Sequence, residues 1–291
     1  FLRIMSKVWV MANSCLLWPR ERLGFVLLPS YLKPMTGTTL TDRALLRISG
    51  EEARAFLQGL LTRDVLTLQP GHPRWTGLLT PQGKALFDVI LWEDGGDVLI
   101  DCEASQADML AKRLTLYRLR RKVTIAREEA LAVHWSPDAA DQPHDPRLPA
   151  LGHRWLAPAS PDAGEGDAAA AFRAHRLSLG VFEGVEELGQ DQVLWLETNA
   201  QELGGVDYDK GCYVGQENTA RMNWRQKVNR RLVVVPLDQA DEKRQRIAYP
   251  ELGFSIEHRR VEDMDALDLP DWQRAGMEAM DPKVADGAPL S

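Results

Sequence analysis

Lys210-Gly211-Cys212-Tyr213-Val214-Gly215-Gln216-Glu217, preceded by Gly204-Gly205 and followed by Arg221, is the stretch on which the reading of this 291-residue chain turns. Glycines on both sides of Cys212 permit backbone angles and close approaches that a Cβ would forbid. Lys210 stands two residues before the cysteine and Arg221 nine after it. Either cation, folded near the sulfur, would favour the thiolate and make it a better nucleophile or metal ligand. The same residues also suit a small buried cysteine in a glycine-rich turn. Other chemistries fit less well. No histidine follows at a spacing suited to a Cys–His hydrolase, and His134, His144, His153 and His175 are scattered. The lysine precedes the glycines instead of following them, which fails the phosphate-loop pattern.

Working outward, Leu40–Ile48 reads as a strand, and Ser49 with Glu52 reads as a capping box. Ala53, Phe56, Leu57, Leu60 and Leu61 recur at the spacing of a core-facing helix. Trp75–Leu79 and Ala85–Trp92 read as strands joined by the Thr80-Pro81-Gln82-Gly83 turn. Gly95-Gly96 turns the chain into a strand at Asp97–Cys102. Ala104–Arg118 is helical, and Lys122–Ala126 and Leu131–Trp135 are strands. The order predicts α+β layers, helices against an antiparallel or mixed sheet. A first half covers 35–136, and 137–167, rich in Pro, Ala, Gly and Asp, reads as a surface connection. A second half covers 168–237, with a helix at Ala168–Leu179 and a strand at Arg230–Leu237. Residues 238–291 are an acidic segment with a short helix around Pro270–Met280.

The 35 basic and 42 acidic residues leave a net charge of -7, which argues against a general binder of nucleic-acid phosphates. Cys15, Cys102 and Cys212 are too dispersed for a disulfide framework or a CxxC metal site, so no metal centre is expected and a reducing compartment is. No apolar run reaches the roughly 20 residues of a membrane helix. The expected state is a monomer in the cytoplasm. Residues 1–34 differ from the rest, with five basic residues and one acid. They read as an unstructured leader or extension, and the alternative is a transit peptide to the mitochondrial matrix.

The segment Lys210–Glu217 with Arg221 resembles the K-G-C-[FY]-x-G-Q-E signature of the YgfZ-type folate-binding family. These proteins are relatives of the glycine-cleavage aminomethyltransferase, the T-protein. Phe56-Leu57-Gln58-Gly59-Leu60-Leu61-Thr62-Arg63-Asp64-Val65, Leu79–Lys84 with Phe87-Asp88, and Glu197-Thr198-Asn199 ahead of Leu203-Gly204-Gly205 are similar to further family segments. The resemblance covers about residues 38–235. It implies two ferredoxin-like halves around a central folate channel, with the C-terminal β-barrel shortened or rearranged at 238–291. It also implies a tetrahydrofolate-binding protein that assists assembly or repair of iron–sulfur clusters in client apo-enzymes, with an effect on tRNA modification through them. Cys212 and Lys210 would carry the chemistry. Glu197 would accept pterin N–H groups, Phe172 would face the ring, and Arg221 would pair with a folate carboxylate or steady the loop. Asn199, Asp88 and Gln216 complete the implied folate set. A folate-dependent aminomethyltransferase, using Asp88 or Asp101 as its carboxylate, and a non-catalytic folate-binding scaffold are the alternatives.

Overall fold

Alternation in the strand Arg43–Ser49 (β1) decides the layering. Leu45 faces one apolar cluster, and Leu46 and Ile48 face another on the opposite side of the sheet. The computed structural model of the protein describes residues 37–160, 167–225 and 228–279; the leader at 1–34 lies outside them.

After β1 come the helix Ala53–Gln58 (α1) and the strands Arg74–Leu79 (β2), Ala85–Asp94 (β3) and Asp97–Glu103 (β4). The helix Ala107–Arg118 (α2) and the strand Thr124–Glu128 (β5) follow. These strands form one antiparallel sheet in the order β2-β3-β4-β1-β5. Phe56 and Leu57 of α1 and Leu110 and Leu114 of α2 pack on one face with Val89, Leu91, Val98 and Ile100. The alternate residues Ile90, Trp92 and Leu99 point through to the second cluster. Both faces are therefore buried, and a one-residue register slip would exchange them. The Ser49–Glu52 capping box is not formed. Ser49 ends β1, Glu52 makes no side-chain cap, and its carboxylate accepts the Lys122 N–H at 2.7 Å.

The strands Leu131–Ser136 (β6) and His153–Pro158 (β7) pair antiparallel beneath the second face. This corrects the reading of 137–167 as a surface connection. Asp145, Arg147, Leu151 and Arg154 are buried, and β7 lies within the segment. Its Pro and Gly content hid a buried ion network that composition alone does not reveal.

The helices Ala169–Ser178 (α3), Val185–Leu188 (α4) and Gln216–Arg225 (α5) lead to a second sheet. Its strands are Arg230–Pro236 (β8), Gln245–Tyr249 (β9) and Phe254–Arg260 (β10), in the order β8-β10-β9. The helix Asp271–Ala279 (α6) follows. The division at 237/238 is thus corrected as well, because β8 pairs with β10 across it over seven residues. Leu232, Val234, Phe254 and Ile256 fill one side of this sheet, and Val233, Val235, Met264 and Leu267 the other. The 238–291 stretch carries strands after all; Gly253, at φ +74°, ends the turn between them.

Candidate functional site around Cys212

Three stretches far apart in sequence meet under Cys212. The helix α1 has only six residues, so its last carbonyls would lie bare. The ammonium of Lys210 covers the last of them, donating to Gln58 O at 2.6 Å, and also to Leu61 O just beyond the helix at 2.5 Å. Gln58 answers, its amide donating to the Lys210 carbonyl at 2.9 Å while its oxygen accepts from Val65 N–H. Val214 N–H donates to Gly59 O at 3.2 Å. On the other side the loop rests on the 80–84 turn. Asn218 donates to Gln82 O at 2.7 Å, and Gly215 lies against Thr80. The turn's Gly83 O in turn accepts from Trp195 N–H, which links it to the 195–198 segment.

Between these anchors the tip is open. Gly211 has φ +93° and nothing within 4 Å of where a Cβ would sit, and Cys212 is exposed. Tyr213 turns inward and is buried, its ring 4.9 Å from the Lys210 ammonium. Burial lowers Lys210 to about 8 and pushes the Tyr213 phenol up to about 12. Lys210 is therefore engaged with α1 and Tyr213, as the anchor of the loop. Arg221 is exposed on α5 and forms no ion pair among the described residues. Nearby on the same helix Trp224 is 73% exposed, edge-on to Tyr208 at 6.3 Å. Sequence reasoning did not single out Trp224; an aromatic on a polar helix next to the motif was the available signal.

Cys102 is the opposite kind of thiol. It is buried on β4, its Sγ is 3.6 Å from Ala44 O, and burial pushes the thiol up to about 12. Alkylation of the native protein with iodoacetamide at neutral pH, read site by site by mass spectrometry, should therefore modify Cys212 and spare Cys102. Equal rates at the two sites would show that the tip is not open.

The residues assigned to a folate do not gather there. Asn199, at φ +57°, is fully buried, accepting from Arg231 at 2.8 Å and donating to Leu232 O. Glu197 accepts Leu194 N–H and lies 3.4 Å from His258 Nε2 of β10. Gln216 and Arg221 lie on α5. Asp88 is buried on β3, accepting from Trp75 Nε1 and Gly184 N–H. Burial, reinforced by Glu183, raises its carboxyl. The Phe172 ring packs 5.0 Å from Trp135 and beneath the guanidinium groups of Arg147 and Arg154, at 5.8 and 5.4 Å.

Those guanidinium groups belong to a network buried beneath the five-stranded sheet. Asp101 of β4 accepts from Arg43 of β1 at 2.7 Å and from Arg154 of β7 at 2.9 Å. Arg147 makes a two-pronged contact with Asp145 and donates to Glu183 at 2.6 Å; Arg43 reaches Glu183 at 3.1 Å. A pterin at Phe172 would have to displace two paired guanidinium groups. Phe172, Asn199 and Asp88, buried and already partnered, do not fit that ligand as arranged.

The fold is that of the glycine-cleavage T-protein. The solved aminomethyltransferase T of the glycine cleavage system from Bartonella henselae superposes with a TM-score of 0.60, covering 78% of this chain and 80% of that one, at 16% identity. At that identity the likeness is one of α+β fold alone. No protein-family model matches the chain. Among curated proteins, the mouse mitochondrial iron-sulfur cluster assembly factor IBA57 is 31% identical over 256 residues, 74% of this chain and 71% of that protein. Its human counterpart is 35% identical over 231 residues, and the Neurospora crassa homologue 32% over 229. The chain belongs to the IBA57 family of iron–sulfur cluster assembly factors, related in structure to the T-protein. It spans 65% of the human protein's length and 52% of the Neurospora one.

Proposed function

We propose that the chain assists the assembly or repair of iron–sulfur clusters in client apo-enzymes, with Cys212 as the group that acts. The exposed thiol, on a tip whose flanks are fastened to α1 and the 80–84 turn, carries this reading. Among the described residues no three His, Cys, Asp or Glu side chains gather to hold a metal. In this reading Cys212 acts singly. Once its proton is lost, the thiolate fills one coordination position on a cluster whose other ligands belong to the client. Lys210 acts through position, fixing the loop against α1. Trp224 and Arg221 lie on the helix that follows the loop, where a client would approach.

These steps assign no role to tetrahydrofolate: of the residues assigned to it, Asn199, Asp88 and Phe172 are buried against protein partners and Glu197 accepts Leu194 N–H. The aminomethyltransferase alternative is also less well supported. Its candidate carboxylates, Asp88 and Asp101, are buried and already hydrogen-bonded, Asp101 to two arginines. The names of the curated relatives place them in mitochondria, and the basic residues of 1–34 suit import into the matrix. Among the described residues no helix is long and apolar enough to cross a membrane.

The test is Cys212→Ser, expressed in cells that lack the native protein. Serine is nearly isosteric and the site is exposed, so the melting temperature should stay within about 1 °C of the parent. Iron–sulfur enzyme activity should nevertheless remain at the level of the empty vector. Full rescue by the serine variant would leave the scaffold reading in its place.

A further inference from the structure

Residues 109–122 contain six cations and no acid, in a chain of net charge -7. They meet α1 at Glu52, while the Cys212 loop is fastened to its other end at Gln58. The cations are Lys112, Arg113, Arg118, Arg120, Arg121 and Lys122. Among the described residues, Lys112, Arg113, Arg120 and Arg121 form no ion pair, and Lys122 meets only Glu51 at 3.4 Å, with both side chains exposed. Large apolar side chains stand among these charges. Met109 is 50% exposed, Leu116 66% and Leu119 84%. Leu119 ends α2 at φ +52°, a conformation that costs a leucine energy, and the geometry holds its side chain out in solvent. Together with Glu52, Arg120 and Arg121 it lines an open recess of about 550 Å³. Next to this turn lies β5, the end strand of the five-stranded sheet, with Thr124, Ala126 and Arg127 exposed.

We propose that this corner is a docking surface for an extended acidic segment of a partner protein. Its backbone pairs with the open edge of β5, its carboxylates face Arg120 and Arg121, and an apolar residue seats against Leu116 and Leu119. The combination selects this occupant. Unpaired cations at the recess call for acids, and a free edge strand supplies donors and acceptors to an extended backbone. Exposed leucines gain from an apolar side chain and gain nothing from phosphate. A nucleic acid would use stacking aromatics, and the only one here is the half-buried Tyr117. Three separated apolar residues are too few to enter a bilayer interface, which takes the whole apolar face of a helix. The surface is independent of the role given to Cys212.

Fluorescence anisotropy of a labelled peptide of alternating glutamate and leucine, titrated with the full chain, tests the proposal. Binding should saturate and weaken as salt rises. It should fall about tenfold or more in the double variant Arg120→Glu/Arg121→Glu. Leu119→Asn should also weaken it; asparagine tolerates the positive φ, so that variant should melt no lower than the parent. Methylating alternate peptide nitrogens should abolish binding, because strand pairing would be blocked. The proposal is overturned by equal affinity for parent and charge variants, or by undiminished binding of the methylated peptide. It is equally overturned if poly-uridine or anionic phospholipid vesicles outcompete the peptide through the same arginines, or if sedimentation shows a dimer that Arg120→Glu/Arg121→Glu dissolves.

Discussion

Asp101→Ala should lower the unfolding free energy by about 3–5 kcal/mol, the usual cost of removing one partner from a buried ion pair. Asp101 has no exposed side-chain surface, and its two oxygens accept from Arg43 and Arg154, whose side chains are 3% and 0% exposed. Without the carboxylate both guanidinium groups stay buried. Glu183, which also touches Arg43 and Arg147, cannot balance them all. The effect should reach across the molecule, because this one side chain joins β1, β4 and β7. At about 2–4 °C per kcal/mol for a chain of this size, the melting temperature should drop by about 10 °C. Asp101→Asn keeps the shape and one acceptor, so it should fall between the parent and alanine. A loss below about 1 kcal/mol in urea unfolding of Asp101→Ala would mean that water or rearranged partners replace the carboxylate.

The network also sets a direction for acid. Burial, the largest single influence, would raise Glu183, but Arg43, Arg147 and Arg154 with Arg176 hold its carboxyl well below the usual 4.5. Asp145 is likewise lowered, burial being outweighed by Arg147 and Arg154. Folded-state values below the unfolded ones mean that the unfolded chain takes up protons first. The stability these two groups contribute is therefore present above pH about 4.5 and lost as the pH falls toward their folded values. Asp88 opposes them, since its raised carboxyl favours the protonated fold in acid. Asp42, raised by burial and by Glu183, opposes them too. Glu128 and Asp241, however, are lowered by their hydrogen bonds. Four lowered carboxyls thus stand against two raised ones, and the urea midpoint should decline below pH about 4.5.

The elements legible in the sequence are those whose side chains repeat at a helix or strand period. The alternation through Leu45, Leu46 and Ile48 and the spacing of Phe56 and Leu57 place β1 and α1 within a few residues of their positions. Period says nothing of partners. Arg43, Asp101, Arg147 and Arg154 are charged residues that would be assigned to the surface one at a time. They are buried only because the topology brings β1, β4 and β7 side by side, where each charge finds its complement. For the same reason Pro and Gly in 137–167 suggested a loop where β7 and a buried arginine lie. The strands β9 and β10 were missed because their apolar residues are diluted by Gln245, Arg246, Glu257 and His258. The Cys212 loop was legible as a motif, yet the physical role of Lys210 was not. Its proximity in sequence suggested a partner for the thiolate, whereas the bare end of a six-residue helix some 150 positions earlier claims the ammonium.

The two glycines that frame Cys212 should separate sharply on substitution. Both have positive φ, +93° at Gly211 and +86° at Gly215, so alanine pays a backbone strain of about 1–2 kcal/mol at either. At Gly211 nothing lies within 4 Å of a new Cβ, and strain is the whole cost. At Gly215 the new methyl would sit 2.5 Å from the Thr80 carbonyl oxygen, 3.0 Å from Leu79 Cβ and 3.2 Å from Gly83 Cα. Two of those atoms are backbone, in a turn closed by its own Gly83 N–H to Thr80 O bond at 2.9 Å, so neither side can yield cheaply. The loop must then lift from the turn, weakening Asn218 to Gln82 and pulling on the Lys210 clamp at α1. Gly215→Ala should therefore cost about 3 kcal/mol or more in urea unfolding, and Gly211→Ala about 1–2. Gly215→Ala should also fail to restore iron–sulfur enzyme activity in cells although its cysteine is intact, while Gly211→Ala should retain part of it. If the two variants melt together, the loop is not seated on the turn, and the case for an anchored, presented thiol fails with it.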